Sequence, residues 1–277
     1  MNNDKKLTVD QTFNLAVQNH REGKTDIAQD LYNQVLKNNS NHSPSLNNIA
    51  VIFTNSKDYQ KAKECFEKAI SIDPNDVDAH NNLGNLFKEL GESQKAKKYF
   101  EKAIEINPNY AIAHNNLGSM FLKLGENQKA KNCFEKAIEI NPNYVNAHNN
   151  LGVIFQKLGE HQKSKSCCEK AIEIDPNFAN AYNNLGITLQ ELGENQKAKS
   201  CYEKAIEIDP NFVNAYWNLY GLSKDIDEAL LILNKLCKID NKHIKAKIMI
   251  AALEGFKGNF SMFDDILSSS NSNHPYT

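Results

Sequence analysis

The sequence predicts an all-α protein, a solenoid of about eight helix-turn-helix repeats, and three observations lead to this fold class. A unit of 34 residues recurs along the chain, and each unit contains two stretches with apolar residues three and four positions apart. Gly and Pro separate these stretches at fixed positions. One such hairpin cannot bury its apolar face alone, so we expect each hairpin to stack on the next.

The unit boundaries follow from residues that recur every 34 positions. Prolines end five units, at Pro74, Pro108, Pro142, Pro176 and Pro210. Glycines divide the two stretches of four units, at Gly91, Gly125, Gly159 and Gly193. After a disordered N-terminus at 1–8, the spacing predicts a repeat array over 9–243, with units at 9–42, 43–76, 77–110, 111–144, 145–178, 179–212 and a shortened 213–243.

The unit at 77–110 shows why each stretch should be helical. Its first helix carries Leu83, Leu86, Phe87 and Leu90 at helical spacing, and Gly91 is a typical residue just past a helix end. Its second helix should run from about residue 94 to 106, because Pro108 cannot continue a helix and biases the preceding residue away from helical geometry. Small residues at Gly84, Ala96 and Ala103 should let the two helices approach closely, with Leu83, Phe87 and Phe100 filling the contact.

The pattern changes after Pro210. In the unit at 213–243, Ala229 arrives three residues early, so the turn is shortened, and its second helix is rich in Leu. A divergent hairpin at 244–268 is predicted to cap the array, since the ends of a solenoid need atypical repeats. The Ser/Asn-rich residues 269–277 are predicted to form a flexible tail.

Composition excludes several classes of protein. The chain has 32 basic and 34 acidic residues, and Arg21 is its single arginine. This balance argues against nucleic-acid binding, which needs a basic surface. No apolar run approaches the roughly 20 residues that span a bilayer, so no membrane association is expected. The polar N-terminus and six cysteines without a disulfide pattern predict a cytoplasmic protein with free thiols.

Asparagine is the residue most concentrated at particular repeat positions. Of 39 asparagines, twelve are the fifth or sixth residue of a repeat. The sixth-position residues are Asn14, Asn48, Asn82, Asn116, Asn150, Asn184 and Asn218. The fifth-position residues are Asn47, Asn81, Asn115, Asn149 and Asn183. A carboxamide offers both donors and an acceptor, which match the donor and acceptor of each peptide unit. A row of them could hold an extended chain by its backbone; the alternative is that they bond neighbouring helices, and both roles are compatible.

The 34-residue unit resembles the tetratricopeptide repeat through Leu117, Gly118, Phe121, Gly125, Ala130, Phe134, Ala137 and Pro142, with equivalents in neighbouring units. The resemblance implies a right-handed superhelix whose first helices line a concave groove. The groove resembles that of the tetratricopeptide domains of O-linked N-acetylglucosamine transferases, where asparagine ladders hold extended substrates. It implies peptide binding by Asn48, Asn82, Asn116, Asn150, Asn184 and Asn218, with Asn81, Asn115, Asn149 and Asn183 beside them. The domains that clamp chaperone C-terminal carboxylates use cations in the groove, and the second and fifth positions here carry none, so that partner class is rejected.

No catalytic, metal or cofactor site is expected. His80, His114 and His148 lie one repeat apart, which is too far for a shared zinc ion, and are predicted to pack. The Lys-rich second helices are balanced by Glu and are interpreted as a solvated face. We therefore predict a non-enzymatic interaction module that binds an extended peptide or protein segment. The alternatives are a recruiting domain of a larger bacterial glycosyl-, sulfo- or methyltransferase, and a scaffold joining two folded partners.

Overall fold

The structure is a computed structural model, which describes residues 7–258, and all regular secondary structure within this range is helical. Of the N-terminus predicted to be disordered at 1–8, residues 1–6 lie outside the described range, and Thr8 caps the first helix. The second half of the predicted capping hairpin and the tail at 269–277 also lie outside this range. The helices are α1 (Val9–Arg21), α2 (Thr25–Asn38), α3 (Ser43–Asn55), α4 (Tyr59–Ile72), α5 (Val77–Glu89), α6 (Ser93–Ile106), α7 (Ala111–Lys123), α8 (Asn127–Ile140), α9 (Val145–Lys157), α10 (His161–Ile174), α11 (Ala179–Glu191), α12 (Asn195–Ile208), α13 (Val213–Tyr220), α14 (Ile226–Ile239) and α15 (Ile244–Phe256).

The chain divides into two compact units, Met1–Pro142 and Asn143–Thr277. In the first unit, helices α1 to α8 form four consecutive hairpins, and each hairpin packs on the next. In the second unit, α9 to α14 form three hairpins in the same way, and α15 packs on α14. The predicted fold class, an all-α solenoid of helix-turn-helix repeats, is confirmed.

A glycine in the left-handed conformation ends the first helix of most hairpins. Gly91 has φ 76°, and its backbone N–H donates to the carbonyl of Lys88 at 3.2 Å. The N–H of the next residue, Glu92, donates to the carbonyl of Phe87 at 2.9 Å, which completes a Schellman motif. This pair of bonds reverses the chain within two residues and aligns the second helix against the first.

Asx turns join successive hairpins within each unit. Asn107 is extended, with φ −131° and ψ 95°, and its Oδ1 accepts a hydrogen bond from the backbone N–H of Asn109 at 3.0 Å. The same bond recurs with Asp ahead of the proline in three other connections. Either Asn or Asp therefore serves as the acceptor in these connections.

Close contact between the two helices of a hairpin depends on a glycine facing an aromatic ring. A Cβ added to Gly84 would lie 2.7 Å from the Phe100 ring, and one added to Gly118 would lie 2.7 Å from the ring of Phe134. Both phenylalanine side chains are fully buried. The predicted close approach at Gly84 is thus present, and any side chain there would force the ring to move.

The hairpin α9–α10 in the second unit departs from this packing. Cys168 takes the place of the aromatic residue, and Ser164, where other repeats have Ala, is hydrogen-bonded at 2.8 Å to the hydroxyl of Thr188. Both hydroxyls are buried, and the bond between them satisfies groups that would be costly to bury alone.

The C-terminal part of the second unit contains a hairpin with a short first helix. Helix α13 has only eight residues, and Asp225 caps the following helix α14 by accepting from the N–H groups of Asp227 and Glu228. The side chains of Leu233 and Leu236 are fully buried in this core. Of the predicted capping hairpin, α15 is described and the remainder is not.

Candidate functional site

The sixth-position asparagines lie on the first helices at partly exposed positions. Asn48, Asn82 and Asn116 of the first unit, and Asn150, Asn184 and Asn218 of the second, are all half-buried, whereas Asn14 is exposed. The fifth-position residues are buried: Asn81 is 3% exposed, Asn115 6%, Asn149 7% and Asn183 6%. Ligand contact by the fifth-position side chains is therefore limited by their burial.

Side-chain hydrogen bonds join the asparagines of the first unit into one chain of amides. The Nδ2 group of Asn116 donates to Oδ1 of Asn81 in the preceding repeat at 2.9 Å. Asn81 donates to Asn82 at 3.4 Å, and Asn82 donates to Asn47 of its preceding repeat at 3.1 Å. We call this the amide chain of the first unit.

The second unit contains an equivalent amide chain. Asn218 donates to Asn183 at 2.9 Å, Asn183 donates to Asn184 at 3.4 Å, and Asn184 donates to Asn149 at 2.8 Å. In both units, the same bond recurs: Asn82, Asn116, Asn184 and Asn218 each donate to the fifth-position residue of the repeat before. The interpretation that these asparagines bond neighbouring helices is therefore confirmed for these residues.

The amide chains leave hydrogen-bonding capacity unused on the sixth-position residues. The Asn82 carboxamide has two N–H donors and two acceptor lone pairs, and the chain takes one donor and one lone pair. Because Asn82 is half-buried rather than buried, the remaining groups can reach a ligand on the exposed side. A structural role and a binding role are chemically compatible at this position.

Two cavities lie between first helices of successive repeats in the first unit. The cavity between α1 and α3 has a volume of about 330 Å³ and is lined by Val17, His20, Arg21, Tyr32 and Asn48. The cavity between α3 and α5 has a volume of about 240 Å³ and is lined by Val51, Thr54, Asn55, Phe66, Asn82, Asn85, Lys88 and Glu89.

The two cavities are built from the same repeat positions. Each has an aromatic side chain of the second helix in its lining, Tyr32 in one and Phe66 in the other, and both side chains are buried. Each also includes a sixth-position asparagine of the following repeat, Asn48 or Asn82. Side-chain-sized spaces therefore recur at the repeat interval, each next to a sixth-position carboxamide.

The cavities are also lined by cationic and titratable side chains that were not among the site residues predicted from the repeat pattern. Arg21 and His20 line the first cavity, and Lys88 lines the second. Burial lowers the pKa of His20 and of Lys88. Burial raises the pKa of Tyr32, against a smaller opposing effect of its hydrogen bond with Asn48. His20, Arg21 and Lys88 occupy the twelfth or thirteenth position of their repeats. In the sequence, the feature that could have drawn attention to this site is that Arg21 is the single arginine of the chain.

The histidines predicted to pack have a hydrogen-bonding role within the repeats of the first unit. Nε2 of His80 lies 3.0 Å from the carbonyl oxygen of Pro74, and Nε2 of His114 lies 2.9 Å from that of Pro108. Each histidine thus ties the start of a first helix to the connection before it. No group of three or more potential metal ligands forms within residues 7–258.

The cysteines are free thiols, most of them with suppressed ionisation. Burial raises the pKa of Cys133 and Cys201 to about 11 each and that of Cys168 to about 12. Since the thiolate is the nucleophile, these three side chains are poorly suited to catalysis near neutral pH.

Four family models match the chain, and each describes a tetratricopeptide repeat. They match residues 43–76 and 77–110, 99–132, 118–159 and 143–211. Together these matches run without a gap over residues 43–211. Comparison with curated protein sequences gave no significant match.

Solved structures similar to this chain include other helical repeat proteins. The crystal structure of MamA is 27% identical, with a TM-score of 0.50, and the match covers 61% of this chain and 92% of that one. A chain in the crystal structure of the APC/C hetero-tetramer Cut9–Hcn1 is 16% identical, with a TM-score of 0.78 over 90% of this chain and 50% of that one. A tetratricopeptide repeat protein from Parabacteroides merdae is 18% identical, with a TM-score of 0.67 over 89% and 98%. Among the described helices, none has the length and apolar character needed to cross a bilayer.

Proposed function

Because the chain belongs to the tetratricopeptide repeat family, we propose that it is a protein-interaction module that holds an extended peptide or protein segment along its first helices. The observation that carries the proposal is the recurrence of a cavity beside a sixth-position asparagine in successive repeats. An extended segment presents a donor and an acceptor on every residue and needs partners at regular intervals.

In the proposed mode, the sixth-position carboxamides bond the backbone of the ligand, and its side chains enter the cavities between repeats. Asn48, Asn82, Asn116, Asn150, Asn184 and Asn218 make these contacts. The buried residues Asn81, Asn149 and Asn183 orient Asn116, Asn184 and Asn218 through the amide chains, and the buried Asn115 occupies the same repeat position. Backbone recognition of this kind demands little of the ligand sequence, so specificity comes from the cavity linings.

The division of roles has a physical basis in the first unit. Asn82 is fixed by bonds to Asn47 and Asn81, so little side-chain entropy is lost when it bonds a ligand. A carboxamide held in this way is a preorganised donor and acceptor, which an isolated surface asparagine is not.

The test uses a dodecapeptide selected from a random phage-displayed library against the full chain. Replacing Asn48 and Asn82 together with Ala removes two hydrogen bonds to the ligand, which predicts a loss of affinity of about tenfold. Fluorescence anisotropy with the labelled peptide gives the Kd, and circular dichroism at the assay temperature checks that both proteins are folded.

A matched control is Asn132→Ala on the second helix α8, where the exposed Asn132 side chain bonds only to Gln128 within its own helix. This variant should bind the peptide as the wild type does. Unchanged affinity in the folded Asn48→Ala/Asn82→Ala variant would refute the proposed binding mode.

Three sequence-based expectations remain predictions. These are the cytoplasmic location, the absence of catalytic activity and the alternative of a recruiting domain in a larger transferase. The exclusion of nucleic acid, membranes and chaperone C-terminal carboxylates as partners likewise remains a prediction from the composition and repeat pattern of the sequence.

A further inference from the structure

We infer that the first unit takes an acidic extended segment, with ligand carboxylates beside Arg21 and Lys88. The inference rests on the proposed function and adds the chemical class of the ligand. Both side chains line cavities next to sixth-position asparagines, Asn48 and Asn82 respectively.

Most lysines on the second helices of the first unit have their charges paired locally. Nζ of Lys102 lies 2.8 Å from Glu105, that of Lys136 lies 2.9 Å from Glu139, and that of Lys61 lies 2.8 Å from Asp58. Each of these short-range pairs offsets the charge of its lysine. Their lysines are thus poor candidates for attracting an acidic ligand.

The cations that line the two cavities are not paired with carboxylates in this way. Within residues 7–258, neither Arg21 nor Lys88 forms a salt bridge with a carboxylate. Glu89 also lines the cavity of Lys88, so the cavity of Arg21 has the more positive lining. We therefore expect Arg21 to contribute more than Lys88 to the binding of a ligand carboxylate.

The first cavity suits a carboxylate in particular. The guanidinium of Arg21 presents a planar set of donors that matches the two oxygens of a carboxylate. The Tyr32 hydroxyl, 3.5 Å from Nδ1 of His20, and the Asn48 carboxamide supply neutral polar groups in the same lining. No acidic side chain contributes to the lining of this cavity.

Charge at the twelfth and thirteenth repeat positions distinguishes the two units. In the first unit these positions carry three cations and one anion, a net charge of +2 with histidine neutral: His20, Arg21, Thr54, Asn55, Lys88, Glu89, Leu122 and Lys123. In the second unit they carry two cations and two anions, a net charge of zero: Gln156, Lys157, Gln190, Glu191, Lys224 and Asp225. Charge complementarity therefore places the acidic ligand on the first unit.

The repeat spacing sets the interval between the ligand carboxylates. Packed helices lie roughly 10 Å apart, and an extended chain advances about 3.3–3.6 Å per residue. Arg21 lies on α1 and Lys88 on α5, which are first helices two repeats apart, so the two cations are separated by roughly 20 Å. This distance corresponds to ligand residues about six positions apart, and two acidic residues at positions i and i+6 fit it.

The test compares two labelled dodecapeptides that are N-acetylated and C-amidated, so neither carries a terminal carboxylate. Both consist of Ala, Ser and Thr, with Glu at the third and ninth positions in one and Gln in the other. At low salt, the full chain should bind the Glu peptide about fivefold more tightly than the Gln peptide, as expected for partly exposed ion pairs.

The variants assign this preference to residues. Arg21→Gln should reduce the preference for the Glu peptide, and Arg21→Gln/Lys88→Gln should abolish it. Lys102→Gln, which removes a paired lysine from a second helix, should retain it. Circular dichroism establishes that each variant is folded.

Each outcome bears on one of the two proposals. Equal affinity for both peptides, or a preference that persists in the double variant, overturns the acidic ligand. If the Gln peptide still binds and its affinity depends on Asn48 and Asn82, the proposed function stands without a preference for acidic ligands. If neither peptide binds, both proposals are contradicted for this class of ligand.

Discussion

At the residue scale, the left-handed position that follows each first helix of the first unit is occupied by one lysine among glycines. Lys57 has φ 63°, where the other described hairpins of the first unit have Gly23, Gly91 and Gly125. It makes the same bonds as they do, since its N–H donates to the carbonyl of Thr54 at 3.0 Å. The Schellman motif is thus kept, and a side chain is held in a conformation that L-residues disfavour.

Lys57→Gly should therefore stabilise the protein. Relief of the left-handed conformation contributes about 1–2 kcal/mol, and the added freedom of glycine in the unfolded chain offsets about 0.5–1 kcal/mol of it. We expect a higher urea midpoint, measured by circular dichroism at 222 nm.

The matched opposite change is Gly91→Ala. A Cβ at Gly91 would meet no atom within 4 Å, so any loss of stability reports the backbone conformation alone. A lower midpoint for Gly91→Ala together with an unchanged or lower one for Lys57→Gly would contradict the explanation by backbone strain.

At the scale of the helices, the amide chains join first helices that are neighbours in space but far apart in sequence. Asn116 of α7 and Asn81 of α5 are 35 residues apart, and their bond is 2.9 Å long. Asn81 is buried, so loss of either partner leaves a polar group without its bond in a site with little water. The amide chain should therefore contribute to the packing of one repeat on the next.

A double-mutant cycle on Asn81→Ala and Asn116→Ala tests this contribution. The two changes should be coupled by about 0.5–1.5 kcal/mol in the free energy of unfolding, because each removes the same hydrogen bond. Urea denaturation of the wild type, the two single variants and the double variant gives the coupling.

The control cycle pairs Asn47→Ala with Asn116→Ala, which lie two repeats apart and share no direct bond. Its coupling should be smaller than that of the first cycle. Additive effects in both cycles would show that the amide chain adds nothing to repeat packing.

On the scale of the whole molecule, the near-neutral net charge hides an uneven distribution. Most described lysines of the second helices pair with a Glu or Asp three or four residues away, as Lys170 does with Glu173 and Lys204 with Glu207. These pairs are exposed and local, so each adds little to stability. The charges that remain unpaired on the cavity linings matter for binding rather than for folding.

Salt should therefore affect stability and binding differently. Raising NaCl from 0.05 to 0.5 M should change the urea midpoint by less than about a tenth, because screened surface pairs contribute little. Over the same range, affinity for the Glu peptide should fall while that for the Gln peptide changes much less. A large salt effect on the midpoint, or the same salt effect on both peptides, would contradict this separation.

The parts of this protein that depend on local chemistry could be predicted from its sequence. The 34-residue period, the helix boundaries near Gly91 and Pro108, and the glycine that faces Phe100 all follow from residues close together in the chain. So does the position of Lys57 in a turn that otherwise uses glycine. Backbone conformation and helix periodicity act over a few residues, so these features could be predicted.

The contacts of the asparagines and of the unpaired cations depend instead on how the repeats pack. A sequence pattern places the fifth and sixth positions on one side of a helix, but burial of Asn81 and its bond with Asn116 depend on how the next repeat packs. Likewise, Arg21 becomes part of a cavity lining because Asn48 of the following repeat lies beside it. Contacts between residues about 35 positions apart are set by the packing of whole helices, which the local pattern does not specify.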